Sequence, residues 1–190
     1  MMDKGDERKK QLLQVALDIF IEKGYYSTSI CEIARKAGVS SGLLFHYLSN
    51  KESIYLELIK IGIQEMKINT EMTMESPCNY LFQIMKNTFE QLENNSFFAK
   101  MFVFMDNVQY TVVNQKEITS LLESANICKQ WILIILEGQQ RGEFREGNPH
   151  SLCVAVFGAI HGIAQEKVRI LNTPLPKIEC LMDMIVSRTK

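Results

Sequence analysis

Apolar positions recur along the chain with the period of helices, and no stretch alternates convincingly as a strand would. Residues 7 to 23 place Leu13, Ala16, Leu17 and Phe20 at i, i+3, i+4 and i+7 and stop at Gly24, which predicts a first helix. A second, of about two turns, takes Thr28 or Ser29 as N-cap, sets Ser29 and Glu32 at capping-box spacing and stops at Gly38. A third begins at Ser40 or Ser41. Ser49 and Glu52 form another S-x-x-E pair, opening a long helix through Ile54, Leu58, Ile61 and Glu65.

Beyond Met74 the texture changes. Ser76-Pro77 starts a helix, and a stretch rich in Phe and Met runs to Met105. A further helix is expected from about Gln115 to Arg141, "RGEFREGNP" breaks the pattern, and Pro149 to Leu171 resumes it. "NTPLP" breaks it again before a last helix from Lys177 to Arg188. There is no internal repeat or low-complexity segment. The expected fold is all-α, a small N-terminal unit followed by a larger bundle, about nine or ten helices in total.

The second helix, its glycine turn and the third have the dimensions of a helix-turn-helix. The helical period turns Leu44 and Leu48 inward together, and Val39 in the turn seals the same core. Gly42 and His46 point the other way, flanked by Leu43 and Phe45. An ordinary surface helix would carry Lys, Glu or Gln there. A face of small, apolar and amphipathic residues suits base edges and sugar-phosphate better than water.

Composition narrows the classes. The chain has 190 residues, 46% hydrophobic and 23% charged, enough to bury a core. The longest apolar run, Trp131 to Leu136, is too short to span a bilayer, and the charged start "MMDKGDERKK" is not followed by the apolar core of a secretory signal, so a cytoplasmic protein is expected. Five cysteines, at 31, 78, 128, 153 and 180, are odd in number and contain no CxxC; buried core thiols suit them better than disulfides or zinc. The net charge of −1 is unevenly spread: 8 Lys/Arg face 6 Asp/Glu through Lys51, and 13 face 16 beyond it.

The stretch "KGYYSTSICEIARKAGVSSGLLFHYLSNKE" resembles the DNA-binding domain of the TetR (tetracycline-repressor-like) family over about residues 8 to 55, with a dozen positions in order and spacing. The resemblance implies a helix-turn-helix DNA-binding domain at residues 1–50 and a helical effector-binding and dimerisation domain at 51–190. It implies no enzyme and no cofactor or metal, but a transcriptional regulator, a repressor by preference, binding an inverted-repeat operator in double-stranded DNA as a homodimer. Carried over to this chain, Ser40, Ser41, Gly42, Leu43 and His46 would meet bases or their sugars, while Thr28, Ser29, Tyr47 and Lys51 would hold phosphates. Glu52 would cap the fourth helix. Phe45 stands where the family often has a phenol for phosphate, so Tyr47 or His46 would supply that contact.

The rest resembles the family in layout. "LEGQQRGEFREGNPHSLCVAVFGAIHGIAQEKV" is similar to the last long helix pair, which implies a four-helix dimer bundle with Trp131, Ile135, Phe157, Gly158 and Gly162 in the interface. Phe82, Met85 and Phe89 share one helical face, and Phe98, Met101, Phe102 and Met105 another. Such side chains fill a core or line an apolar cavity, and the resemblance implies a small apolar effector, with Asn107, Tyr110 or His161 as polar contacts. Two rival readings stand beside it: a DNA-organising protein with a filled bundle and no effector, and an enzyme built on His150, Cys153 and His161, which lacks a completing carboxylate.

Overall fold

A computed structural model of the chain describes residues 4–67, 76–111, 116–125, 127–170 and 172–187. Ten helices lie among the described residues: α1 (Lys4–Lys23), α2 (Ile30–Lys36), α3 (Ser41–Tyr47), α4 (Lys51–Glu65), α5 (Pro77–Asn94), α6 (Ser96–Thr111), α7 (Lys116–Ala125), α8 (Ile127–Gln140), α9 (Pro149–Arg169) and α10 (Ile178–Met182). None is long and apolar enough to cross a membrane.

Packing divides the chain into two compact units, and the division differs from the functional boundary expected at residue 50. The first unit joins Met1–Glu65 to Lys100–Glu123; the second joins Met66–Ala99 to Ser124–Lys190. All of α4 therefore belongs with the N-terminal helices, and the later dividing lines fall inside α6 and near the end of α7.

In the first unit, the expected stripe of Leu13, Ala16, Leu17 and Phe20 is buried, none more than 4% exposed. An aromatic cluster forms where α1, α4 and α6 meet. Phe20 meets Tyr55 edge-on at 5.1 Å, Tyr55 meets Phe104 at 5.0 Å, and Tyr25 in the turn after α1 meets Tyr55 at 4.8 Å. Farther along α4, Gly62 leaves room for Met101 and Met105, whose thioethers occupy the space a side chain on Gly62 would need. Lys9–Glu57 at 2.6 Å and Lys100–Asp18 at 2.7 Å bridge α1 to α4 and to α6, though half-exposed pairs contribute little.

The second unit is organised by the turn between α8 and α9. Phe144 covers Gly138 so closely that any side chain there would overlap its ring. Glu143 accepts from the Ser76 hydroxyl at 2.7 Å and from the Cys78 amide at 2.8 Å, closing the N-terminus of α5 that Ser76 and Pro77 begin. Asn148 caps α9 through the Ser151 amide.

The helix expected over 115–141 is described as α7 and α8, with residue 126 between them and residue 115 outside the described residues. Two expectations need correction, the extent of the last helix and the burial of the cysteines. The last helix is only Ile178–Met182, not Lys177 to Arg188. Its backbone turns at 183–185, then serves a long-range pairing with the α8–α9 turn: Arg145 donates to the Ile185 carbonyl at 2.8 Å, Ser187 donates to that of Glu143 at 2.9 Å, and Phe144 and Val186 form an isolated bridge. The cysteines are not uniformly core thiols. Cys31, Cys128 and Cys180 are exposed, Cys78 is half-buried and Cys153 alone is buried.

Candidate nucleic-acid interface

Two serine caps position the helix-turn-helix. Ser29 Oγ accepts from the Glu32 amide at 3.2 Å and opens α2; Ser40 Oγ accepts from the Leu43 amide at 3.1 Å and opens α3. Only one arm of the Ser29–Glu32 box forms, because the Glu32 carboxylate is held by Lys23 at 2.5 Å, which keeps that carboxyl below and that ammonium above their ordinary ranges. Between the helices Gly38 adopts φ +65°, and the Val39 amide donates to the Ala34 carbonyl at 3.0 Å.

Leu44 at 0% and Leu48 at 4% exposure are buried beneath α3, which packs against α2, where Ile33 and Ala34 are buried as well. Gly42 and His46 stand outward as the helical period requires, with Leu43 and Phe45 on either side. The His46 imidazole meets the half-buried Tyr47 ring edge-on at 5.1 Å, and Ser41 is half-buried. Gly42, Leu43, Phe45 and His46 are therefore exposed together on a single short helix.

Two phosphate-side assignments and one cap assignment change. Thr28 is 3% exposed, and its hydroxyl donates to the Gly24 carbonyl at 2.7 Å, so it braces the turn after α1 and offers nothing to a duplex. Lys51 is half-buried; its ammonium donates to the Tyr25 and Thr28 carbonyls, both at 2.8 Å, and lies 4.3 Å above the Tyr25 ring. It latches the start of α4 to that same turn. Glu52 does not cap α4. The reciprocal cap is made by Asn50 and Ser53: the Ser53 amide donates to Asn50 Oδ1 at 2.7 Å, and the Asn50 amide to Ser53 Oγ at 3.1 Å. Tyr26, not singled out from the sequence, is 74% exposed beside the helix-turn-helix; its place two residues after Gly24 in a tight turn was the available signal.

The other assigned residues fall as follows. Trp131 at 4% and Ile135 at 0% exposure lie inside the second unit and cannot meet a partner copy. Helical phase explains this: they share the inward side of α8 with Ile134 and Gly138, and the outward side carries Leu133 and Leu136. Phe157 on α9 is half-buried, edge-on to Trp131 at 4.7 Å, while Gly158 and Gly162 are exposed with open space where a side chain would stand. The assigned effector residues divide between the units. Phe82, Met85, Phe89 and the half-buried His161 belong to the second; Met101, Phe102 and Met105 belong to the first, where Met101 and Met105 are packing for Gly62. The Tyr110 side chain lies outside the described residues.

Among the described residues, no three His, Cys, Asp or Glu side chains are grouped as a metal site would need. In the rival catalytic set, burial with the nearby Cys128 pushes the Cys153 thiol up to about 12, the reverse of an activated nucleophile.

Residues 12–58, from the middle of α1 to the middle of α4, match the profile described as bacterial regulatory proteins, tetR family. That segment is a tetR-family DNA-binding domain. The transcriptional repressor KstR2 of Mycobacterium tuberculosis strain H37Rv is 27% identical over 145 residues, 74% of this chain and 70% of that protein. The transcriptional regulator HbdR of Aromatoleum sp. strain CIB is 42% identical over 55 residues, 29% of this chain and 24% of its own. In fold, the MbdR regulator from Azoarcus sp. CIB superposes with a TM-score of 0.76 at 20% identity, covering 93% of this chain and 95% of that one. The ketosteroid transcriptional regulator KstR2 of Mycobacterium tuberculosis superposes at 0.66 with 22% identity, covering 95% and 96%. With its tetR-like head and its repressor relative, the chain is a DNA-binding transcriptional regulator and not an enzyme.

Proposed function

We propose that the chain represses transcription by binding an inverted-repeat operator as a homodimer, and that a small apolar molecule releases it. The observation that carries the reading is α3, where Leu44 and Leu48 are sealed beneath while Gly42, Leu43, Phe45 and His46 stand outward. A helix held from below and bare above suits a major groove about 12 Å wide. Repression is inferred from KstR2, named a repressor and matched over 145 residues; FasR of Mycolicibacterium smegmatis, named an activator, matches over only 61.

The dimer is inferred from the outward sides of α8 and α9. Leu133 and Val154 are each 56% exposed, and Gly158 and Gly162 leave a strip of α9 without side chains, open to close approach by a second copy. A two-fold pair presents two copies of α3, and their separation of roughly one helical turn, ~34 Å, sets the half-site spacing. For the effector, Phe82, Met85 and Phe89 on α5 are the apolar candidates, with His161 on α9 the polar one. That a structural neighbour is described as a ketosteroid transcriptional regulator supports an apolar class.

The test is selection of sites from random duplex DNA, with light scattering for the mass of the complex. An inverted repeat bound by two copies is expected; a site without two-fold symmetry, or no selected site, rejects the reading. Titration of a steroid ketone into the operator complex, followed by fluorescence anisotropy, tests release. An effector must bind the two states unequally, and a tightly bound ligand that leaves operator affinity unchanged returns the effector-free alternative.

A further inference from the structure

We infer that Leu43 and Phe45 read thymine methyl groups in the operator half-site. The inference deepens the operator reading above and rests on it.

Helix α3 is SGLLFHY. It carries no Arg, Lys, Asn or Gln, the side chains that grip guanine or adenine edges with two hydrogen bonds, and no Asp or Glu to accept from cytosine. What it offers a major groove is the Ser41 hydroxyl, the His46 imidazole and two apolar side chains. Those two are unusually bare: Leu43 is 39% and Phe45 49% exposed, while Leu44 between them is fully buried. The helical period sets them on opposite flanks of the outward Gly42–His46 line.

Gly42 adds an independent observation. A glycine inside a short helix costs stability, and the usual repayment is a close neighbour. Here an added Cβ would meet only Ser40 Oγ, at 4.0 Å, so nothing within the chain calls for the missing side chain. The surface that gains from its absence is one pressed on the helix from outside. With the backbone at Gly42 close to the groove floor, Leu43 and Phe45 reach the base edges on either side. Of the four bases, thymine alone presents a methyl group there, and contact with it removes apolar surface of both partners from water. Polar edges met by the same side chains would lose hydrogen bonds to water without replacement, which disfavours other bases.

The experiment replaces, one at a time, each thymine of the selected duplex with uracil, a change that removes the methyl and leaves every hydrogen-bonding group in place. Affinity is read by fluorescence anisotropy at fixed salt. For the wild-type chain, one or two positions per half-site should lose about 4-fold, the equivalent of one methyl buried. Leu43→Ala and Phe45→Ala, both at exposed positions that leave the core intact, should each become indifferent to uracil at the position that side chain reads; unfolding curves check that both variants fold. Equal wild-type affinity for thymine and uracil at every position overturns the inference while leaving the operator reading intact. A protein that selects no sequence overturns both.

Discussion

The ammonium of Lys51 lies 4.3 Å above the Tyr25 ring while donating at 2.8 Å to the same residue's carbonyl. A second donation, to the Thr28 carbonyl, completes a latch between the start of α4 and the turn that leads into α2. Lys51→Met keeps the aliphatic stem and removes the donors. Hydrogen bonds from a charged group contribute about 1.5 to 3 kcal/mol each, less where water competes, so a loss of about 2 kcal/mol is expected in denaturant unfolding. Operator affinity should fall because the turn loosens, with the salt dependence of binding unchanged. An unchanged unfolding midpoint together with a salt slope lowered by roughly 1 would return Lys51 to the phosphate backbone.

Gly42→Ala should move stability and binding in opposite directions. An alanine fits the open space beyond Gly42 and favours the helix by about 0.5 to 1 kcal/mol. Its methyl group would stand between α3 and the groove, so operator affinity should drop several-fold. The paired measurement is thermal unfolding and anisotropy; a variant that is both more stable and fully active would show that nothing approaches this face closely.

On α9, a Cβ added at Gly158 or Gly162 meets no atom within 4 Å and both positions are exposed, so Gly158→Trp and Gly162→Trp should each fold. Light scattering behind size exclusion should nevertheless find less dimer, with operator affinity falling alongside it. Wild-type mass and binding in the double variant would place the interface elsewhere.

Cysteine chemistry gives a prediction independent of DNA. Cys153 is 2% exposed with its thiol pushed up to about 12, whereas Cys31 and Cys180 are exposed. Iodoacetamide near neutral pH, read by peptide mass spectrometry, should label Cys31 and Cys180 first and spare Cys153 until the chain unfolds. Because the folded state holds this proton more tightly than the ordinary thiol value of 9.0, the contribution is fully present below 9.0 and is lost as pH rises toward about 12. Cys153→Ser should flatten that part of the alkaline unfolding profile.

The helix-turn-helix was largely legible because its signals are local. Ser29 and Ser40 sit next to the apolar runs they cap, Gly38 marks the turn, and Leu44 with Leu48 are four apart on one side. What escaped the sequence depends on which partner each side chain meets, four residues away for Thr28 and far along the chain for the others. Thr28 and Lys51 have the chemistry of phosphate ligands, and only the positions of the Gly24, Tyr25 and Thr28 carbonyls show that those donors are already engaged. Met101 and Met105 have the chemistry of a ligand cavity, but Gly62, about forty residues earlier, supplies the space they fill. Trp131 and Ile135 fell on the wrong side of α8 because the sequence shows a period and not its phase. The last helix ends early because the α8–α9 turn takes its backbone, a competition invisible in residues 177–187 alone.

Sequence kinship and physical unity end at different places in this protein. The tetR-family match stops at residue 58, yet Phe104 on α6 rests on both Phe20 and Tyr55, and Met105 fills the gap at Gly62. A gene fusion that swaps DNA-reading heads at residue 58 would therefore graft a new α1 onto a foreign Phe104 and leave a hydrophobic socket mismatched. Viable chimeras should carry residues 100–123 from the same parent as the head, and natural exchange between such regulators should leave its seams on both sides of that inserted segment.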